Sequence, residues 1–164
     1  MISVSEAEER ILSVICPMPL EQVGITDSFG RVAGEDIRSR RTQPPMPVSA
    51  MDGYAVRAED ISKTPVELKV VGYAPAGGSY ETSLNAGEAV RIFTGAPVPL
   101  GANTIIIQEN TKQIGEIVSI NESAKIGRYI RPAGLDFSED DILISAGTRT
   151  VSYTHLTLPT NREE

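Results

Sequence analysis

The sequence has one histidine, one cysteine and no tryptophan in 164 residues. The histidine, His155, lies in the closing stretch of the chain. There is accordingly no His-centred triad, no Cys/His zinc pattern and no glycine loop carrying a phosphate-binding lysine. Any catalysis must come from carboxylates, hydroxyls, Arg or Lys, backbone amides, or a metal held by oxygen. Cys16 alone cannot form an internal disulfide, and a cytoplasmic chain is the simplest reading. Positive charge is scarce: 15 Lys and Arg face 22 Asp and Glu, a net charge of −7. That balance argues against nonspecific nucleic-acid binding, which neutralises phosphates with clustered cations. It leaves room for a small anionic substrate, which needs only a few local donors. No apolar run approaches the ~18 residues of a membrane span. The opening residues, Met1 to Ile11, hold acids and no basic leader, so a signal peptide is not expected. Aromatics make up only 5%, so core filling falls to Ile, Val, Leu and Ala within a globular 40% of apolar residues.

The pattern along the chain changes once. Ser5 with Glu8 reads as a capping box, and Val4, Ala7, Ile11, Val14 and Ile15 share one helical face. Pro17 and Pro19 end that helix. Asp27 to Gly34 reads as a second, short helix capped by Asp27 or Ser28. Later segments are short and β-branched, with Gly, Pro, Asn and Ser between them. Strands are expected at Val66–Gly72, Glu88–Phe93, Thr104–Gln108, Ile117–Ile120 and Ile142–Ile144. A helical start followed by short strands predicts an α+β fold with a β-rich domain over 42–138. Residues 151–164 show no usable periodicity and look like translated adapter sequence, so they are set aside from function; a frayed terminus is the alternative.

Three segments could carry chemistry. In the first, prolines keep the entry to Ser49-Ala50-Met51-Asp52-Gly53-Tyr54-Ala55-Val56-Arg57 extended. Asp52-Gly53 marks a tight turn, after which Tyr54 to Arg57 starts a strand. A bare Asp-Gly is most often only a turn; the functional reading is a carboxylate held rigidly at a cleft. In the second, the strand Glu88 to Phe93 runs into Thr94-Gly95-Ala96-Pro97-Val98-Pro99. Thr94 offers a hydroxyl, Gly95 allows close backbone approach, and such a loop can present N–H groups to an anion. A strand-end turn is the plainer alternative. In the third, Gly127 to Asp136, Arg131 can fork onto the oxygens of phosphate or a similar oxyanion and Asp136 can hold Mg²⁺ directly or through water. The acids that follow, Glu139 to Asp141, read as a solvated face.

Taken in order and spacing, Ser-Ala-Met-Asp-Gly-Tyr-Ala-Val-Arg at 49–57, Arg-Ile-Phe-Thr-Gly-Ala-Pro-Val-Pro at 91–99 and Ile130-Arg131…Gly134…Asp136 resemble the molybdopterin molybdenumtransferase family, to which gephyrin's C-terminal region also belongs. The resemblance covers about residues 4 to 149. It implies insertion of molybdenum from molybdate into adenylylated molybdopterin, with release of AMP and with Mg²⁺, in molybdenum cofactor biosynthesis. Matched by motif, Asp52, Thr94 and Asp136 fall on positions associated with activity. Ser49, Gly53, Gly95 and Arg131 would line the same substrate cleft; no metal ligand set is assigned. Two departures stand out. Met46-Pro47-Val48 replaces an aromatic-Asp-Asn/Arg stretch, and Leu135 stands where Glu often precedes the matched Asp.

The family also implies an organisation. Residues 1–41 would begin an elongated linker and dimerisation domain, 42–138 would be an inserted β-rich domain, and 139–150 would return to the first. The family's later α/β and β-barrel domains are expected to be missing, leaving one wall of a cleft and a fragment inactive alone. A homodimer and an adenylylating enzyme of the same pathway are the implied partners, with neither nucleic acid nor membrane. The alternative is a non-catalytic dimerisation or scaffold module of the same family.

Overall fold

A computed structural model describes residues 2–16 and 18–151. Pro17, the closing segment after Val151 and with it His155 fall outside the described residues. The chain divides into two units: one holds the residues up to Ile37 together with those from Ile142 on, and the other is Arg38–Asp141. Among the described residues one short helix accompanies ten strands, so the α+β expectation holds, with sheet dominant. No helix among the described residues is long and apolar enough to cross a membrane.

The first unit carries the helix, α1 (Val4–Leu12). Its cap is Ser3, whose hydroxyl accepts from the Glu6 amide, and not Ser5. Two capping boxes overlap here, Ser3…Glu6 and Ser5…Glu8. The earlier one starts the helix sooner and so adds hydrogen bonds to the same costly nucleus. Glu6 then pairs with Arg10 at 2.8 Å, one turn on. The face expected to seek a core finds none: no residue of α1 is buried. The second expected helix does not form. Only a single 3-10 turn, Ile25–Asp27, appears, with Ser28 behind it. Gly30 adopts φ 76°, which a helix cannot accommodate. The chain beyond it extends instead. Gly30 and Ala33 donate to Thr150 and Thr148, while Gly147 and Thr150 donate back to Ala33 and Arg31. Backbone partners distant in sequence override a weak local preference.

The second unit is built on a six-stranded sheet. Its strands are β3 (Gly53–Val56), β4 (Val66–Ala74), β5 (Glu88–Ile92), β6 (Thr104–Ile107), β7 (Thr111–Ile114) and β8 (Ile117–Ile120), in the order β6-β3-β5-β4-β8-β7. All neighbours are antiparallel except β4 and β5. Strand alternation sends Tyr54, Val56, Leu68, Ala89, Ile106, Val118 and Ile120 into one cluster. Their neighbours Ala55, Ala74, Val90, Ile92 and Ile105 enter a second cluster with Leu84 and Ala96. Both faces of the central strands are therefore covered, which suits the adjacent apolar residues Tyr54–Val56, Ala89–Val90 and Ile105–Ile107. The largest fully buried side chains are Ile61, Ile92, Ile105, Ile106 and Ile120, as a chain poor in aromatics requires.

Four strands have weaker sequence signals. These are β1 (Ile37–Arg38), β2 (Val48–Ser49), β7 and β9 (Ile130–Arg131). β1 pairs with β10 (Ile142–Ile144) and β2 with β9. β7 is largely exposed and owes its form to the tight turn at Gly115, φ 60°, which sets Ile114 opposite Ile117.

Candidate functional site

The short strand β2 ties together the segments that carry Gly95 and Arg131. On one side Val48 stands opposite Arg131 and Ser49 opposite Ile130. On the other, Ser49 donates its amide to Ala96 O and accepts from Gly95 N–H, and Val48 bridges to Pro97. The Thr94–Pro97 turn and the Arg131 strand are thus tied to the same two residues, which explains why segments about forty residues apart act together. Val48 is nearly buried in this ladder, so an aliphatic residue suits the position.

Asp52 follows at the mouth of β3. Its Oδ1 accepts two bonds from Thr94, one from the backbone N–H at 2.8 Å and one from the hydroxyl at 2.8 Å. These two bonds, with help from the charge of Arg91, hold the Asp52 carboxyl below the ordinary aspartate value, against a smaller opposing effect of desolvation. The carboxylate is partly exposed and ionised. The hydroxyl proton of Thr94 is committed to Asp52.

The second dyad is Arg131 with Asp136. One guanidinium nitrogen, Nη2, reaches both carboxylate oxygens, at 2.6 and 2.7 Å. The Asp136 amide donates to Gln43 O. Arg131 therefore keeps donors beyond Nη2, whereas both oxygens of Asp136 already accept a bond. Each of those oxygens keeps a second lone pair, so Asp136 can still meet a cation or water beside the guanidinium.

The remaining residues are structural in this arrangement. Ser49 is 1% exposed, and its hydroxyl donates to Met51 O at 2.6 Å. It shapes the approach to Asp52 and does not face solvent. Gly53 has no room for a side chain, since a Cβ would stand 1.9 Å from Ile106 O. Gly95 is the opposite case: φ is 82° and a Cβ would meet nothing. The Thr-Gly loop does not offer its amides to an anion. Thr94 N–H goes to Asp52, Gly95 N–H to Ser49 O and Ala96 N–H to Phe93 O. Its role is to grip Asp52 and β2, and the positive φ of Gly95 is what lets the chain turn between those two grips.

Sequence reading passed over Arg91. Its guanidinium lies over the rings of Tyr54, at 5.1 Å, and Phe93, at 4.9 Å. It also donates from Nη1 to Gly53 O at 3.1 Å and from Nη2 to the Gln108 side chain. The available signal was periodicity: Arg91 and Phe93 share a face of one strand, and cross-strand register sets Arg91 opposite Tyr54.

A sequence profile described as the MoeA N-terminal region (domain I and II) matches residues 2–158. The chain belongs to the MoeA family. The molybdopterin molybdenumtransferase of a Nostoc species is 34% identical over 157 residues, covering 91% of this chain and 36% of its own length. Molybdopterin molybdenumtransferase 2 of Mycobacterium tuberculosis is 36% identical over 151 residues, covering 90% of this chain and 37% of its own. Among solved structures, the molybdopterin biosynthesis MoeA protein of Pyrococcus horikoshii superimposes with a TM-score of 0.78 at 34% identity, over 94% of this chain and 41% of that one. The chain thus spans little more than a third of the length of these relatives. Its place in a family of molybdenum cofactor biosynthesis follows from these likenesses.

Proposed function

We propose that this chain forms one wall of the site at which molybdenum from molybdate enters adenylylated molybdopterin with release of AMP. The observation that carries the proposal is the Asp52–Thr94 dyad: an ionised carboxylate fixed by two bonds to one residue at the surface. Asp52 would orient a metal-bound or free water, and Thr94 would hold Asp52 in place, since its own proton is already used. Arg131, with donors beyond its bond to Asp136, would fork onto an anionic oxygen of molybdate or phosphate. Asp136 would keep that guanidinium aimed. Preorganised charge of this kind is how a site without a protein nucleophile favours cleavage of a phosphoanhydride.

The Mg²⁺ implied by such substrates fits Asp52 better than Asp136. The described residues hold no cluster of three His, Cys, Asp or Glu able to cage a metal. Mg²⁺ on nucleotide phosphates needs only one or two carboxylates, the rest being water and phosphate oxygens. Asp52 supplies one such carboxylate, with Oδ1 taken by Thr94 and Oδ2 left for the ion; Asp136 shares its oxygens with the positive charge of Arg131, which disfavours a second cation there. When bound, the ion would screen the repulsion between the two anionic substrates. Asp52→Ala in the complete enzyme is expected to nearly abolish molybdenum insertion, measured as AMP release from adenylylated molybdopterin with molybdate. Retained turnover would remove Asp52 from the reaction.

A second role, dimerisation of the same chain, is favoured by one observation. Helix α1 buries nothing, and Val4, Ile11, Leu12, Val14 and Ile15 are all exposed. A second copy is the proposed cover for this face. Sedimentation of the chain is expected to show a dimer that Ile11→Asp dissociates; a monomeric wild type would reject this role.

A further inference from the structure

A ring of contacts closes behind Asp52. Its own carbonyl accepts from the Gln108 amide at 3.1 Å. The next carbonyl, Gly53 O, accepts from Arg91 Nη1, and Arg91 Nη2 returns to Gln108 Oε1. Residues 52, 53, 91 and 108 are thus linked in a circuit that joins three strands, β3, β5 and the end of β6. Aromatic rings of Tyr54 and Phe93 flank the guanidinium and limit its rotation. Arg91 also stands three residues before Thr94, the residue that grips the Asp52 carboxylate. One side chain therefore touches Gly53, next to Asp52, and the ring of Phe93, next to Thr94.

We propose that Arg91 is a positioning residue: by bridging Gly53 O and Gln108 Oε1 it holds the Asp52–Gly53 turn at the angle where the carboxylate meets Thr94. The proposal rests on the reading of Asp52 and Thr94 as the reactive dyad, and goes beyond it by naming what keeps that dyad in register. Two donors in a fixed fork are needed, because the two acceptors belong to different segments. Lysine, a single flexible ammonium, cannot span them in one geometry.

The test uses this chain, with no substrate. The Thr94 amide is followed by NMR, as chemical shift and hydrogen exchange at neutral pH, in wild type, Arg91→Lys, Arg91→Met and Gln108→Ala, with melting curves as a check on folding. Both Arg91 variants are expected to move the Thr94 amide and to speed its exchange, because its bond to Asp52 loosens. A wild-type amide in Arg91→Lys beside an altered one in Arg91→Met would mean that charge alone suffices, and would overturn the bridge. A wild-type amide in both would overturn it outright. Should neither Arg91 variant fold, Gln108→Ala decides, since its side chain is exposed: a moved Thr94 amide supports the ring and an unmoved one rejects it. Activity retained by Asp52→Ala would defeat the catalytic reading while leaving these spectra as they are, so the two failures are distinct.

Discussion

Asp52 owes its behaviour to a neighbour forty-two residues away, and this has a consequence for pH. Its folded-state pKa is depressed, by the Thr94 backbone bond first and the Thr94 hydroxyl second. The linked stability is therefore present above the unfolded pKa and is lost as pH falls through the lower, folded value. Asp52→Asn is expected to flatten the acid limb of a denaturation series below the ordinary aspartate value of 3.8, and an unchanged limb would contradict the dyad. The two glycines beside the dyad should part company. Gly53→Ala drives a Cβ against the Ile106 carbonyl and should destabilise beyond the usual ~0.5–3 kcal/mol of point mutants. Gly95→Ala meets open space and costs only its left-handed backbone, about 1–2 kcal/mol. Urea midpoints of the two variants check the order. Asp136→Asn loses a half-exposed ion pair, worth about 0–1 kcal/mol, so any large loss of activity there is not a folding defect.

At the level of elements, legibility followed segment length and composition. The β-branched segments of β4, β5, β6 and β8 read as strands, and each commits at least one face to a core. The two-residue strands β2 and β9 and the exposed β7 were not, because pairing partners and not their own residues make them strands. The expected helix at Asp27 to Gly34 failed for the same reason, its backbone being claimed by residues 147–150. Helix α1 was anticipated, but with its cap two residues late, since two capping boxes overlap. Ser3→Ala should lower the helical signal at 222 nm by loosening a cap worth ~1 kcal/mol. Deep in the sheet, Ile92→Ala leaves a cavity between covered layers and should cost about 2–5 kcal/mol by denaturant unfolding.

For the whole molecule, both hydrophobic clusters lie within Arg38–Asp141. Excised residues 38–141 are expected to fold and melt cooperatively, with dispersed amide resonances retained; a molten spectrum would show that the outer segments are needed. The chain also covers about a third of its molybdenumtransferase relatives. On the proposed reading it binds substrate weakly alone and turns nothing over, a result calorimetry with AMP and molybdate can check.

The amino-acid order alone determined the family. The motifs around Asp52 and Thr94 are contiguous strings, and contiguous strings survive without coordinates. Composition likewise dictated an Ile- and Val-filled core, since few aromatics were available. Only the tertiary structure decided how the candidates work together. It turned Ser49 inward, spent the Thr-Gly amides on internal bonds, closed Asp136 onto Arg131 and brought Arg91 behind Asp52. Each of these is a hydrogen bond between residues distant in sequence or a direction of a side chain. Strand pairing sets both, and register is a property of two segments that neither carries by itself.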